Sequence, residues 1–464
     1  MVELSRKVNA VSFAFEVCTR RTIALLLGGI LGCSAPAWSQ AGGGPPLTIE
    51  QAIAIAVDNN RLLKIKALDV AKADHDLAAL KTRRRPNFDV TMLDGTLAAP
   101  LNFTFQTGSF GTFPATGPIP FQDTSIRTGP RLSGVLIAQV AQPLTQLRTI
   151  GFGVRALEVG RELAREQVRA ERQATEHNVK RLFYGLFEAQ GGLAANEESL
   201  ALYRELDRLV GEYVERQVAL PAEGLTVKTA LAKQELTSVV LRNTMTSLKE
   251  QLNLTLGRDI NADVTSAPPN METGFEVDLA QAQRAALEDR PAIREAKLKV
   301  QQAGYDLERT KASAIPEVSV AFNYLGFYNF DVLPKNAALL GVVAHWEPWD
   351  WGRKREEADA KNRTLEQARL ALKETEDSVR VDVSGKFRKV QEARAMLRVI
   401  DLGQQTAREK LRTAIEQSRQ QATLQRQLLE AQAASADADQ QYRQALAAFW
   451  TARAELDRAI GGSQ

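Results

Sequence analysis

The sequence predicts a mainly α-helical chain with a small β part, laid out as a tandem duplication of long helical hairpins. Two runs, about Gly151 to Leu220 and about Arg353 to Gln421, are the first observation. Val154 to Arg216 contains no proline, is built from Ala, Leu, Glu, Arg and Gln, and repeats Leu, Val, Phe and Tyr at spacings of three and four. Some seventy helical residues extend roughly 100 Å at ~1.5 Å each, several times the ~30 Å of a small domain. Each run is followed by a shorter helical stretch, Leu225 to Gly257 and Thr423 to Gly461. The second observation is the repeat itself. Setting Pro316 under Pro86, a displacement of 230, pairs Ala52 with Ala282, Ala56 with Ala286, Leu68 with Leu298, Val70 with Val300, Leu77 with Leu307 and Lys81 with Lys311, without a gap. The third is a change of period, from helical to alternating, just after each of those two prolines.

In chain order, residues 1–40 read as a signal segment. Arg20 and Arg21 precede an apolar run, Ile23 to Leu31, too short to span a bilayer as a mature helix. Small residues before Trp38 and Gln40 suit cleavage there. Ile30-Leu31-Gly32-Cys33 also resembles a lipobox, so lipidation at Cys33 is the other reading. Cys18 and Cys33 both lie in this segment, which leaves the rest of the chain without thiols.

Residues 41–270 form the first expected repeat and 271–464 the second. Ala41 to Pro46 is a linker. Thr48 then caps a helix whose apolar stripe, Ala52, Ile53, Ala56, Val57, Leu63, Val70 and Leu77, runs to about Arg83. A β-hairpin is expected over 86–143: Phe88, Val90 and Met92 alternate with Asp89 and Thr91, Thr96 to Pro130 reads as a long loop, and strand character returns from Leu132 to Val140. The long helix 151–220 and return helix 225–257 complete the half. The second half repeats the plan with a helix over 278–313, a hairpin over 316–348, a long helix over 353–421 and a return helix over 423–461.

Charge and chemistry exclude much. The formal charge of +3 on 464 residues is too small to argue for nucleic acid. His75, His177 and His345 are far apart, and no metal-ligand spacing, P-loop or nucleophile elbow is present. Asp74-His75-Asp76 is an isolated cluster. The chain therefore reads as a non-enzyme without cofactor or metal. Nothing after Leu31 approaches the ~18 apolar residues of a membrane helix, so any crossing of a bilayer is made by strands. Four strands cannot close a barrel, since the smallest single-chain barrels have about eight. Either the strands are in water or several chains pool them. Tyr324, Phe327, Tyr328, Phe330, Trp346, Trp349 and Trp351 crowd the second hairpin as an interfacial girdle would.

Several segments, in this order, resemble the TolC-like outer-membrane efflux proteins. They are Leu47-Thr48-Ile49-Glu50-Gln51-Ala52 and its repeat Asp278-Leu279-Ala280-Gln281-Ala282, then Asp289-Arg290-Pro291, the strand exit Pro348-Trp349-Asp350-Trp351-Gly352, and Leu428-Leu429-Glu430-Ala431. Leu252 to Gly257 and Leu456 to Gly461 look like the two repeat ends. The resemblance implies a homotrimer in which each protomer gives four strands to one transmembrane β-barrel, continued by a periplasmic tunnel of paired helices. It implies an outer-membrane exit duct of a tripartite efflux pump, in contact with outer-membrane lipid, a periplasmic adaptor (membrane fusion) protein and an inner-membrane pump. A type I secretion duct and a periplasmic coiled-coil adaptor or structural protein are the alternatives. The tips that meet the adaptor would be Val218, Ala219 and Leu220, and Ala422, Thr423 and Leu424. The first tip has its glycine displaced to Gly224 and the second has none. Where better-known members carry two acids three apart at the closed tunnel mouth, this chain has Gln427 and Glu430. The run Arg83-Arg84-Arg85 would anchor the periplasmic edge of the barrel on lipid phosphates.

Overall fold

The first helix of each repeat is broken once, at equivalent places, and this break organises the rest. The computed structural model describes residues 46–96, 101–128, 132–218, 220–268, 277–330, 334–419 and 425–462, within one unit, Pro45–Gln464. The expected signal segment with Cys33, and the tip residues Ala219, Ala422, Thr423 and Leu424, lie outside the described residues. The first half runs α1 (Ile49–Asn59), α2 (Arg61–Thr82), β1 (Asn87–Thr96), β2 (Leu101–Phe105), β3 (Thr112–Phe113), β4 (Gly117–Pro118), β5 (Thr124–Thr128), β6 (Leu132–Pro143), α3 (Gln146–Glu215) and α4 (Pro221–Leu256). The second runs α5 (Leu279–Asp289), α6 (Pro291–Ala312), β7 (Glu317–Tyr328), β8 (Asn336–His345), α7 (Arg353–Arg419) and α8 (Gln425–Ile460).

A continuous helix from Thr48 to about Arg83, and another over 278–313, is what periodicity leads one to expect; the structure corrects both. At Asn60 the side-chain oxygen accepts from the N–H groups of Leu62 (2.9 Å) and Leu63 (3.1 Å), capping α2, while Nδ2 donates to the Thr255 carbonyl at 3.0 Å. Arg290, 230 residues later, does the equivalent with other chemistry. Its guanidinium pairs with Asp382 at 2.8 Å, and Pro291 opens α6 at the position where a missing N–H costs nothing. Each break packs on the glycine that ends its own repeat. A Cβ at Gly257 (φ 67) would lie 2.6 Å from the Asn59 oxygen, and one at Gly461 (φ 88) 2.8 Å from the Arg290 nitrogen. Both the left-handed conformation and the close approach require glycine there.

Thr48 and Gln51 form a reciprocal capping box at the start of α1. The helices then pack around α3, which meets α2 and α6, and also α4 and α8. Helix α7 packs on α6 and α8. Two cores result. Ala52, Ala56, Leu182, Phe183, Leu252 and Leu256 are buried in the first, and Ala282, Ala286, Ile293, Phe449 and Leu456 in the second. Two of the pairs matched by the 230-residue displacement, Ala52 with Ala282 and Ala56 with Ala286, therefore occupy equivalent core positions. Trp450 packs against both cores and stacks on Tyr184 at 6.3 Å between ring centroids, joining one repeat to the other.

Thr96 to Pro130, expected as a loop, contains paired strands instead. Leu101–Phe105 pairs with Thr124–Thr128, and Thr112–Phe113 with Gly117–Pro118. Local alternation in Asn102-Phe103-Thr104-Phe105 was the signal, masked by the glycines and prolines on either side. Asp123 closes this excursion by accepting from the N–H (2.7 Å) and hydroxyl (2.9 Å) of Thr107, bonds that hold its carboxyl below the usual range. The long helix also begins earlier than expected, at Gln146 rather than Gly151, because Gly151 and Gly153 fit a helix packed closely on its neighbours.

Candidate membrane sheet and tunnel ends

The four longest strands form one antiparallel sheet in the order β1-β6-β7-β8. They are 10, 12, 12 and 10 residues long, and a tilted strand of about 9–11 residues spans a bilayer. The register decides their faces. Phe88, Val140, Phe322 and Leu340 are successive partners across all four strands, and so are Val90, Ala138, Tyr324 and Ala338. Direct partners share a face, and so do residues two apart. These rows therefore make one continuous apolar surface. The intervening row on the other face is Asp89, Gln139, Asn323 and Leu339. Phe88 is 73% exposed and Leu340 71% in the protomer, an arrangement that water penalises and hydrocarbon does not.

The sheet has two unpaired edges, β1 and β8. The aromatic residues of the second hairpin divide between its ends. Phe327 and Phe330 meet edge to face at 6.1 Å at one end, while Trp349 and Trp351 meet likewise at 5.7 Å beyond the other. Tyr324 is set apart from both, in the middle of β7.

Each sheet-to-helix turn is held differently. At the first, the Thr145 hydroxyl donates to the Pro316 carbonyl (2.7 Å) and accepts from the Val318 N–H (2.8 Å), so the start of α3 is sewn to the neighbouring strand β7. The second lies on the sheet edge and closes on itself. The Asp350 carboxylate accepts from Gly352 N–H (3.0 Å) and Lys354 N–H (3.1 Å), which caps α7 and holds the carboxyl below the usual range. This turn forces Trp351 to a φ of 55°, a left-handed conformation costly for a bulky residue, and leaves it 90% exposed. Its apolar ring is thus displayed at the edge of the sheet.

At the opposite end of α3, the chain turns through a Schellman motif. Val218 N–H donates to the Tyr213 carbonyl at 2.8 Å and Gln217 N–H to the Val214 carbonyl at 3.0 Å. Gln217, at φ 60, stands where glycine is usual. Val218 and Leu220 are exposed on either side of the tip, and Pro221 opens α4. Gln427 and Glu430 lie three apart in the first turns of α8, hence on one face, and both are exposed.

Residues 282–462 match the family model described as outer membrane efflux protein. Among solved structures, a membrane protein from Pseudomonas aeruginosa superimposes with a TM-score of 0.72 at 15% identity, covering 89% of this chain and 90% of its own. CusC, described in connection with transmembrane channel formation, gives 0.72 at 14% identity over 94% and 100%. The CmeC outer membrane channel of Campylobacter jejuni gives 0.69 at 13% over 89% and 85%. No curated protein matches the sequence. The chain has the TolC-like fold.

Within that TolC-like fold, the described residues supply little acid–base chemistry. No three or more His, Cys, Asp or Glu side chains gather to hold a metal ion among them, and none of the described helices is long and apolar enough to cross a membrane. Asp74 pairs with Arg161 at 3.6 Å. Burial lowers the pKa of His177, and burial pushes the Tyr184 hydroxyl up to about 12, as suits core positions. Sequence reasoning missed Asn60 as a break, Trp450 as the joint between repeats and Asp350 as a cap. Asn60 and Asp350 are N-cap residue types and could have been found; Trp450 carries no local signal.

Proposed function

We propose that the chain is the outer-membrane exit duct of a tripartite efflux pump, a homotrimer that passively conducts substrates delivered by an inner-membrane transporter and a periplasmic adaptor. Three copies supply twelve strands to one barrel, with β8 of each protomer beside β1 of the next. The observation that carries this reading is the open four-stranded sheet with two adjacent rows, those of Phe88 and Val90, apolar across all four strands. Unpaired backbone groups cost several kcal/mol each in hydrocarbon, so the two edges must find strands from other copies. The helical layer supports the same closure. Leu62, Ile65 and Leu68 on α2, Leu236 and Val240 on α4, and Leu370, Val399 and Leu402 on α7 are exposed apolar side chains on helices at the margins of the protomer.

In this reading the tips at Val218, Ala219 and Leu220, and at Ala422, Thr423 and Leu424, meet the adaptor. Gln427 and Glu430 line the tunnel mouth, where a ring of three like charges attracts cations. Beyond residue 40 the sequence holds no cysteine, which makes crosslinking clean. A chain carrying Thr91→Cys on β1 and Leu339→Cys on β8 is expected to yield disulfide-linked dimers and trimers in outer-membrane fractions and to conduct ions in planar bilayers. A monomer with no affinity for lipid overturns the proposal.

A further inference from the structure

Six arginines gather where the sheet meets the helices, and none of them makes an ion pair among the described residues. Arg83, Arg84 and Arg85 follow α2, Arg148 and Arg155 lie in the first turns of α3, and Arg309 is in the last turn of α6. Packing sets Arg84 beside the turn of α3 that carries Arg148 and Arg155, and Arg309 beside the same stretch of α3 on its other side. A Cβ at Gly151 would lie 3.9 Å from Nη2 of Arg84, and one at Gly153 3.9 Å from Nε of Arg309. The Arg148 and Arg155 guanidiniums sit 6.0 and 5.8 Å from the centre of the Phe152 ring, an arrangement that favours cations over its face. The nearby acids are engaged elsewhere. Glu158 pairs with Lys81 at 3.2 Å, Glu308 with Lys311 at 3.1 Å, and Glu317 accepts from Gln146 at 3.4 Å. Arginines gathered at one level without ion-pair partners of their own raise the local positive potential and favour an anion from outside.

We infer that this cluster binds the phosphates of anionic phospholipid in the periplasmic leaflet. The inference rests on the membrane reading of the sheet. Two observations select lipid over a soluble anion. The cluster continues directly from the end of the apolar sheet face, beginning one residue before the Pro86 that precedes β1. The strand-to-helix turn of the second repeat displays Trp346, Trp349 and Trp351, all exposed, as residues of the bilayer interface do. Planar guanidiniums suit phosphate oxygens because they donate in pairs.

The test uses the full trimeric chain in phosphatidylcholine bilayers containing brominated phosphatidylglycerol, with Trp349 and Trp351 as fluorescent reporters. An arginine near an anionic surface strengthens attraction about fivefold. Quenching is therefore expected to show a strong preference for phosphatidylglycerol that drops roughly a hundredfold in the R83Q/R84Q/R85Q variant. It is expected to drop similarly in R84Q/R148Q/R155Q, and to be largely retained when lysines replace the same residues. Equal quenching by brominated phosphatidylcholine and phosphatidylglycerol in the native chain overturns the inference while leaving the membrane reading intact. Absence of quenching by either lipid removes the membrane reading itself. If the glutamine variants keep their lipid preference and instead change anion over cation permeability, the cluster faces the channel and the inference is wrong.

Discussion

Helices α3 and α7 are nearly equal in length, 70 and 67 residues, yet they occupy opposite situations. Helix α3 is wrapped by α2, α4, α6 and α8 and buries a long series of residues, among them Val179, Leu182, Phe183 and Leu186. Helix α7 buries Val379, Val383, Val390 and Leu397 on one stripe but leaves Leu370, Val381, Val399 and Leu402 in the open. The duplication gave each half the same long helix; topology placed one in the middle and the other at the margin. Apolar residues on α3 are largely buried in the protomer, whereas on α7 one stripe is buried and another is left exposed, the stripe that the proposed trimer would cover.

Four experiments break or sharpen that contrast, and Phe183→Ala should have the largest effect. Truncating this buried ring is expected to cost about 3–5 kcal/mol in denaturant unfolding of the detergent-solubilised protein, whereas Val399→Ala should change protomer stability by less than about 0.5 kcal/mol while weakening the trimer. Equal effects would erase the distinction. Next come two glycines. Open space surrounds Gly403 on α7, so Gly403→Ala should gain up to about 1 kcal/mol of helix propensity. A Cβ at Gly191 on α3 would lie 2.6 Å from Cδ of Arg443, whose Nη1 donates to the Gly191 carbonyl at 3.0 Å. Displacing that charged donor costs about 1.5–3 kcal/mol, so Gly191→Ala is expected to lower the melting temperature.

At the tip of α3, Gln217→Gly relieves a left-handed side chain and should stabilise the turn by about 1 kcal/mol, measured as slower hydrogen exchange at Val218. The smallest effect is a pH difference between the two sheet-to-helix turns. The Lys354 and Gly352 N–H groups hold the Asp350 carboxyl below its ordinary value of 3.8. Its contribution is thus complete above that value and is lost as the pH falls through the lowered one. Amide protection in the first turn of α7 should decline in that acid window, while the start of α3, held by Thr145, keeps its protection.

Much of the arrangement was legible because it repeats. Ala52 and Ala282, or Leu77 and Leu307, announce equivalent packing by recurring at one displacement. The alternation of Phe88, Val90 and Met92 exposes a two-faced strand. What could not be read was chemistry that repeats in position but not in residue type. Asn60 and Arg290 hold the same break, one by capping a helix and the other by pairing with Asp382. The arginine cluster was legible only in its first half, Arg83-Arg84-Arg85. Arg148, Arg155 and Arg309 reach it from other helices, through proximity that sequence spacing does not encode.

The sequence by itself determined the duplication, the long helices and the alternating strands, because period and composition are local properties that short windows of residues express. Only the tertiary structure decided which duplicate lies inside and which outside, and that the Phe88 row stays apolar across four strands while the Asp89 row stays polar across three. Register and burial are set by partners far away in the chain, and a shift of one residue would have exchanged the two faces.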